Sequence, residues 1–277
     1  MRTVSTWSLH RTLGRFVAPD SAVQGGPFRE GPAESRGLSL LELPEALRRH
    51  GFDALQICHF HLPSTEPSYL ADLRAALDDA GITLEALLVD DGDLTAPEQA
   101  DRIGAWMEHW LEVGRTLGAT RARLQVGRAA PTPEVIAAAA SRLVRIAGEH
   151  PDIRIVIEND RGTLRDADAL LALLAATDGA VGLLLDTGNW QGPQAETDMA
   201  RVAPMAETCH AKCRFTGSEP EADEFGRALH ILKDAGYAGP LALIYDGPDD
   251  DEWDKLEIVA ALCDEVFGDV GSVPVAP

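Results

Sequence analysis

The sequence has only three lysines, Lys212, Lys233 and Lys255, and no basic stripe. Lys and Arg together number 24 against 45 Asp and Glu, for a net charge of −21. A nucleic acid would be repelled, because affinity for it rests largely on neutralising phosphates. An anionic membrane surface is disfavoured for the same reason. No apolar run reaches the length needed to span a bilayer. The N-terminus, Met1-Arg2-Thr3-Val4, enters a strand-like run with no signal-peptide core, so a cytoplasmic location is expected. The four cysteines, Cys58, Cys209, Cys213 and Cys263, match no common zinc spacing and need not pair in a reducing compartment. Cys209 and Cys213 flank His210, but on a strand they would face away from it. A Gly-rich phosphate fingerprint is also missing: Ser8-Leu9-His10-Arg11 follows the first strand-like run instead.

What is present is a repeated strand–helix pattern. With 45% hydrophobic residues the chain can bury a sizeable core. Strands are expected at residues 3–10, 53–60, 82–89, 120–126, 153–158, 181–186, 208–213 and 240–245. Helices are expected at 39–50, 68–80, 97–117, 133–150, 164–176, 197–205, 221–235 and 251–267. Ser39 is an N-cap candidate, and Gly51, Gly81, Gly118 and Gly236 stand where helices stop. Residues 11–37 read as a long loop, either a lid or binding loop or a mobile surface excursion. Alternating strands and helices imply a parallel sheet. Eight units in this length imply a single-domain (β/α)8 TIM barrel over residues 1–267, with a flexible tail at 268–277. An open doubly wound sheet is the alternative.

In such a barrel the C-terminal strand ends meet at one mouth, where chemistry sits. The stretch Leu183–Trp190, Leu-Leu-Leu-Asp-Thr-Gly-Asn-Trp, ends an apolar run in a carboxylate. Asp186 is either a turn residue or a ligand at that mouth. Glu158, His210 and Asp246 stand at the ends of the neighbouring strands. Three carboxylates and one imidazole suit one divalent ion: Mn2+, Mg2+, Co2+ or Zn2+. The run Asp90-Asp91-Gly92-Asp93 lacks the rest of a calcium-loop pattern and reads as a turn, with one acidic residue aimed at the mouth. Asp249-Asp250-Asp251-Glu252 reads as a helix N-terminus complementing the dipole.

The segments Val-Ile-Glu-Asn-Asp, Leu-Leu-Asp-Thr-Gly-Asn-Trp, Cys-His-Ala-Lys and Gly-Tyr-Ala-Gly-Pro-Leu-Ala-Leu-Ile-Tyr-Asp-Gly resemble the xylose-isomerase-like TIM-barrel superfamily, and Ser5-Thr6-Trp7-Ser8 fits as well. That group holds sugar phosphate isomerases and epimerases, inosose-type dehydratases and an endonuclease branch. The resemblance implies a metal held by Glu, Asp, His and Glu from strands five to eight, with two carboxylates moving a proton beside a carbonyl. Glu158, Asp186 and His210 match the first three places. The fourth falls at Ile244. Asp246 has the same strand parity, two residues nearer the mouth, and would reach the metal from above. Otherwise the site has three ligands or no metal. On strand two the relatives' Glu is Gln56 here.

Around these ligands further residues are candidates. His61 and His59 share parity near the mouth, and either could contact a substrate hydroxyl or move a proton. The bland alternative is a surface or supporting histidine. Lys212 shares parity with His210 and would stabilise an enolate oxygen or act as a base, unless it is an ion-pair partner. His10 and Trp7 would form a sugar-stacking wall, with Trp7 otherwise core. Asn159, Asn189 and Trp190 are placed to contact substrate, and one of Arg123 and Gln125 to reach the mouth. The leading expectation is a metal-dependent isomerase or epimerase of a sugar, keto-sugar or cyclitol, with Glu158, His61 or Lys212 moving the proton. A lyase losing hydroxide from the same substrates is the second. A non-catalytic barrel binding a sugar or a partner is the third, and a homo-oligomer stays open. The charge and the missing extra ligands disfavour an abasic-site endonuclease.

Overall fold

The computed structural model describes residues 1–16, 29–30, 37–247 and 251–268. Its frame is eight parallel strands: β1 (Arg2–Ser5), β2 (Ala54–Cys58), β3 (Thr83–Val89), β4 (Arg121–Leu124), β5 (Arg154–Glu158), β6 (Gly182–Asp186), β7 (Ala206–Lys212) and β8 (Leu241–Ile244). Each pairs with the next, and β8 closes the barrel against β1. Among the described residues eight α-helices lie between and after them: α1 (Leu43–Arg49), α2 (Pro67–Ala80), α3 (Ala100–Leu117), α4 (Pro133–Glu149), α5 (Ala167–Thr177), α6 (Ala195–Val202), α7 (Ala222–Asp234) and α8 (Glu252–Phe267). The open doubly wound alternative is thereby excluded.

Local chemistry sets the ends of these elements. Pro67 and Pro133 open α2 and α4, where a missing N–H costs nothing. Thr132 caps α4 by accepting from the Val135 amide, and Asp166 caps α5 by accepting from Ala169. Gly81 and Gly118 end α2 and α3 in left-handed conformations that a side chain would strain. Ser39 is not a helix cap. Its hydroxyl accepts from the Glu42 amide in a turn that precedes α1.

The strands separate two apolar layers. Residues such as Leu55, Ile57, Leu87 and Leu185 face out and pack beneath the helices. A smaller cluster, Cys58, Phe60, Ala86, Leu88, Val156 and Leu184, forms a second layer against which Trp7 packs. The even-numbered side of β2, β3, β5 and β6 supplies most of that layer, as strand alternation requires. This same side carries Glu158 and Asp186 one step further toward the strand ends.

Several strands end earlier than expected. After β1 the chain enters a 3₁₀ turn over Thr6–Leu9, and after β2 another over His59–His61. Of the expected loop over 11–37, most lies outside the described residues. Its described parts include short strands Arg15–Phe16 and Arg29–Glu30, paired antiparallel. The expected tail lies outside them beyond Gly268, as do Asp249 and Asp250. Glu252 does open α8, yet its buried carboxylate turns back to accept from the Arg11 and Thr12 amides at 2.8 and 2.9 Å.

Candidate functional site

Glu158 ends β5, Asp186 ends β6, and His210 lies in β7 directly beside Asp186 in the ladder. Their ligand atoms all lie within 4.8 Å of one another. His210 Nδ1 is 3.1 Å from Glu158 Oε1 and 3.6 Å from Asp186 Oδ2. Two amides hold the carboxylate-bearing strands in place. The buried Asn159 side chain donates to the Asp186 carbonyl at 3.0 Å and accepts from the Asp186 amide at 2.7 Å. Asn189 Nδ2 donates to Glu158 Oε1 at 3.1 Å and to the Asn159 carbonyl at 2.9 Å. Asp186 Oδ1 accepts from the Gly188 amide at 2.7 Å.

A cavity of about 180 Å³ opens over these groups. Trp7, Arg123, Gln125, Lys212 and Ile244 help to line it. Arg123 is buried and forms ion pairs with Asp90 and with Glu158, its Nε lying 3.2 Å from Glu158 Oε2. That Nε contact is ionic, without the alignment of a hydrogen bond. Lys212 Nζ pairs with Asp246 Oδ2 at 2.7 Å.

Each charge shifts the others. Burial pushes the Glu158 carboxyl up, but Arg123 and His210 outweigh it and hold it at about 2. Burial disfavours the His210 imidazolium, yet Glu158 and Asp186 raise it to about 9. Lys212 is also raised: Asp186 and Asp246 outweigh the cost of its burial. Asp90 is pushed up by burial and pulled well below the usual carboxylate range by Arg123 and His59.

Over residues 44–260 the sequence matches the xylose isomerase-like TIM barrel family. The chain belongs to that family. Among curated proteins none matches it in sequence. Solved structures of similar fold include a xylose isomerase-like TIM barrel protein from Mycobacterium smegmatis in complex with magnesium. It is 16% identical, with 97% of each chain covered and a TM-score of 0.69. D-psicose 3-epimerase with D-tagatose, from Clostridium cellulolyticum, is 17% identical over 83% of this chain and 94% of that one, with a TM-score of 0.64. A probable 3-DHS dehydratase of Bacillus anthracis is 10% identical over 93% and 98%, also with a TM-score of 0.64. At these identities the likeness is one of fold.

Within this family barrel the remaining expected residues are distributed unevenly. Asp246 is not in the Glu158–Asp186–His210 cluster. Strand β8 stops at Ile244, so parity no longer carries Asp246 inward, and its carboxylate turns to Lys212. Ile244 itself faces the cavity. His61 is buried away from the cavity, with Nδ1 2.8 Å from Thr6 Oγ1 and Nε2 3.1 Å from His10 Nδ1. His59 Nδ1 accepts from the Asp90 amide at 3.1 Å, and its ring packs edge-on against Trp106 and Trp110. His10 packs edge-on against Trp7, behind the cavity wall. Trp190 is core, donating to the Asp160 and Leu164 carbonyls. Of the pair expected on the fourth strand, Arg123 on β4 and Gln125 just past its end both line the cavity. Asp90 is the acidic residue of its turn that reaches the mouth. Sequence reading overlooked Glu85, buried on β3; a lone carboxylate inside an otherwise apolar strand was the signal.

Proposed function

We propose that this barrel is a divalent-metal-dependent isomerase or epimerase of a sugar, keto-sugar or cyclitol. The observation that carries the reading is the buried Glu158–Asp186–His210 cluster beneath a polar cavity. Two carboxylates and an imidazole are a donor set for Mn2+, Mg2+, Co2+ or Zn2+, and their closeness lets them share one ion. Ile244 closes the fourth side with an apolar wall, so the residues fit a three-ligand site. A bound ion would supply Lewis-acid polarisation of a substrate carbonyl and its neighbouring hydroxyl.

The chain's own residues supply the rest. Glu158 is the carboxylate set to take a proton from the carbon beside the carbonyl. A carboxyl held at about 2 is a weak base, so abstraction relies on the acidity that carbonyl polarisation gives that C–H bond. Lys212, held protonated by Asp186 and Asp246, faces the developing oxygen charge and can return a proton. The Arg123 and Asp90 side chains line the cavity as an ion pair and add fixed charge to its wall. Asn189 and Gln125 complete the polar lining, and Trp7 offers an apolar face to a sugar ring.

One observation favours a lyase as the second reading. With Ile244 in place of a second carboxylate, protonated Lys212 could instead give its proton to a departing hydroxyl. The test is to strip the protein, reload it with each of the four ions, and incubate it in D2O with ketohexoses, keto-glycosides and keto-cyclitols. Deuterium should enter beside the carbonyl, and Asp186→Ala should abolish this. The product, an epimer or a dehydrated enone, separates the two readings. A protein that holds no divalent ion and exchanges no C–H bond would instead be the non-catalytic sugar-binding barrel.

A further inference from the structure

Inside the barrel, a chain of polar side chains runs to His210 from the side away from the carboxylates. Gln56 on β2 is fully buried, and its Oε1 lies 2.8 Å from His210 Nε2. Gln56 Nε2 donates to Glu85 Oε2 at 2.5 Å, and Glu85 on β3 is also buried. Arg121 on β4 donates to Glu85 Oε1 at 3.2 Å. Three adjacent strands thus contribute one residue each.

The chain has a fixed direction. Arg121 can only donate, and the Glu85 carboxylate that pairs with it accepts. Gln56 must therefore turn its NH2 to Glu85, because the reverse would set two oxygens face to face. That leaves its carbonyl oxygen toward His210, where it accepts a hydrogen from Nε2. Nδ1 is then the ring nitrogen that faces Glu158 and Asp186 and, on losing its proton, is the one free to ligate a metal. A histidine ligand is commonly oriented this way, by the bond its other nitrogen makes.

We infer that Gln56 and Glu85 are positioning residues that commit His210 to bind metal through Nδ1. This rests on the metal-site reading above, and extends it to side chains that touch neither the ion nor the cavity. Burying an amide and a carboxylate in the barrel interior is otherwise costly, and a hydrocarbon of similar volume would fill the same space.

The test uses four proteins: wild type, Gln56→Leu, Glu85→Gln, and the double variant Gln56→Glu/Glu85→Gln. The double variant reverses only the bond between residues 56 and 85: residue 56 still accepts from His210, while residue 85 now donates to 56 and still accepts from Arg121. Zn2+ affinity is measured by competition with a chelator. Gln56→Leu should bind about 10- to 100-fold more weakly, as is typical when such a partner is lost. Glu85→Gln, which leaves the Gln56 amide free to flip, should bind more weakly than wild type. The double variant should recover affinity to within a few-fold of wild type.

Long-range 1H–15N spectra of histidine-labelled, Zn2+-loaded protein should show His210 protonated at Nε2. In metal-free wild type the Nε2–H should be protected from solvent exchange, and that protection should vanish in Gln56→Leu. Two results overturn the inference: unchanged affinity in Gln56→Leu, or a double variant no better than Gln56→Leu. If wild type takes no Zn2+, the functional reading fails. The metal-free spectra still decide whether Gln56 holds Nε2–H.

Discussion

Replacing Arg123 by methionine would leave two buried carboxylates, Asp90 and Glu158, without their common cation. Breaking a buried ion pair by removing one partner typically costs about 3–5 kcal/mol. His210 still compensates Glu158, and His59 lies near Asp90, so the lower end of that range is expected. Even so, about 3 kcal/mol is a large share of the roughly 5–15 kcal/mol that stabilises a domain. The pH dependence identifies the cause. In wild type both carboxyls are held below their ordinary values, Glu158 at about 2. Their ionic contribution is therefore present above about pH 4.5 and is lost as pH falls toward 2. In Arg123→Met, burial pushes both carboxyls up, so they protonate at higher pH and the penalty disappears there. Urea unfolding of metal-free wild type and variant should differ by about 3 kcal/mol at pH 7, and by clearly less at pH 4. A difference below about 1 kcal/mol at pH 7, or one that does not shrink with acid, would refute the reasoning.

Four further outcomes are expected. Asn159→Ala strands the buried amide and carbonyl of Asp186; it should lower stability by about 2–4 kcal/mol in chemical denaturation and weaken metal binding by calorimetry. Loading metal at pH 7.5 should release close to one proton, because His210 at about 9 must give up its Nδ1 proton; calorimetry in buffers of different ionisation heat reads this directly. The same raised value has a stability consequence of opposite sense to the carboxyls: the His210 contribution in metal-free protein is complete below about pH 6.5 and is lost as pH rises through about 9, visible as a falling melting temperature. Lys212→Gln should cut turnover of an active substrate by about 10²- to 10⁴-fold with little change in metal affinity.

The order of strands, the closed barrel and the Glu158–Asp186–His210 cluster were legible because each rests on strand alternation, which holds as long as the strand does. His59 and His61 show where that ends. They sit in a 3₁₀ turn, so period-two counting puts them on a face they do not share, and each finds a partner away from the cavity. Asp246 fails likewise, because β8 stops two residues earlier. Arg123 and Gln125 were placed on the right face, but parity says nothing of reach: Arg123 from β4 and Gln125 from just past its end both extend to the cavity. Trp190 was next to the right residue, yet its indole turns outward beneath the helices to satisfy two carbonyls. Glu85 has no partner nearby in sequence. Gln56 and Arg121 reach it from other strands, a relation no local pattern carries.

The seam between β8 and β1 bears on how this chain folds. Ser8 Oγ donates to the Leu243 carbonyl and accepts from the Tyr245 amide, across 235 and 237 positions of sequence. Glu252 reaches the Arg11 and Thr12 amides across 241 and 240. Bringing such distant segments together costs about 5 kcal/mol of chain entropy before any bond forms. Neighbouring strand–helix units face no such search and can assemble first. The seam is then the late event of folding: substitutions such as Ser8→Ala or Glu252→Gln should mainly speed unfolding and leave the refolding rate almost unchanged.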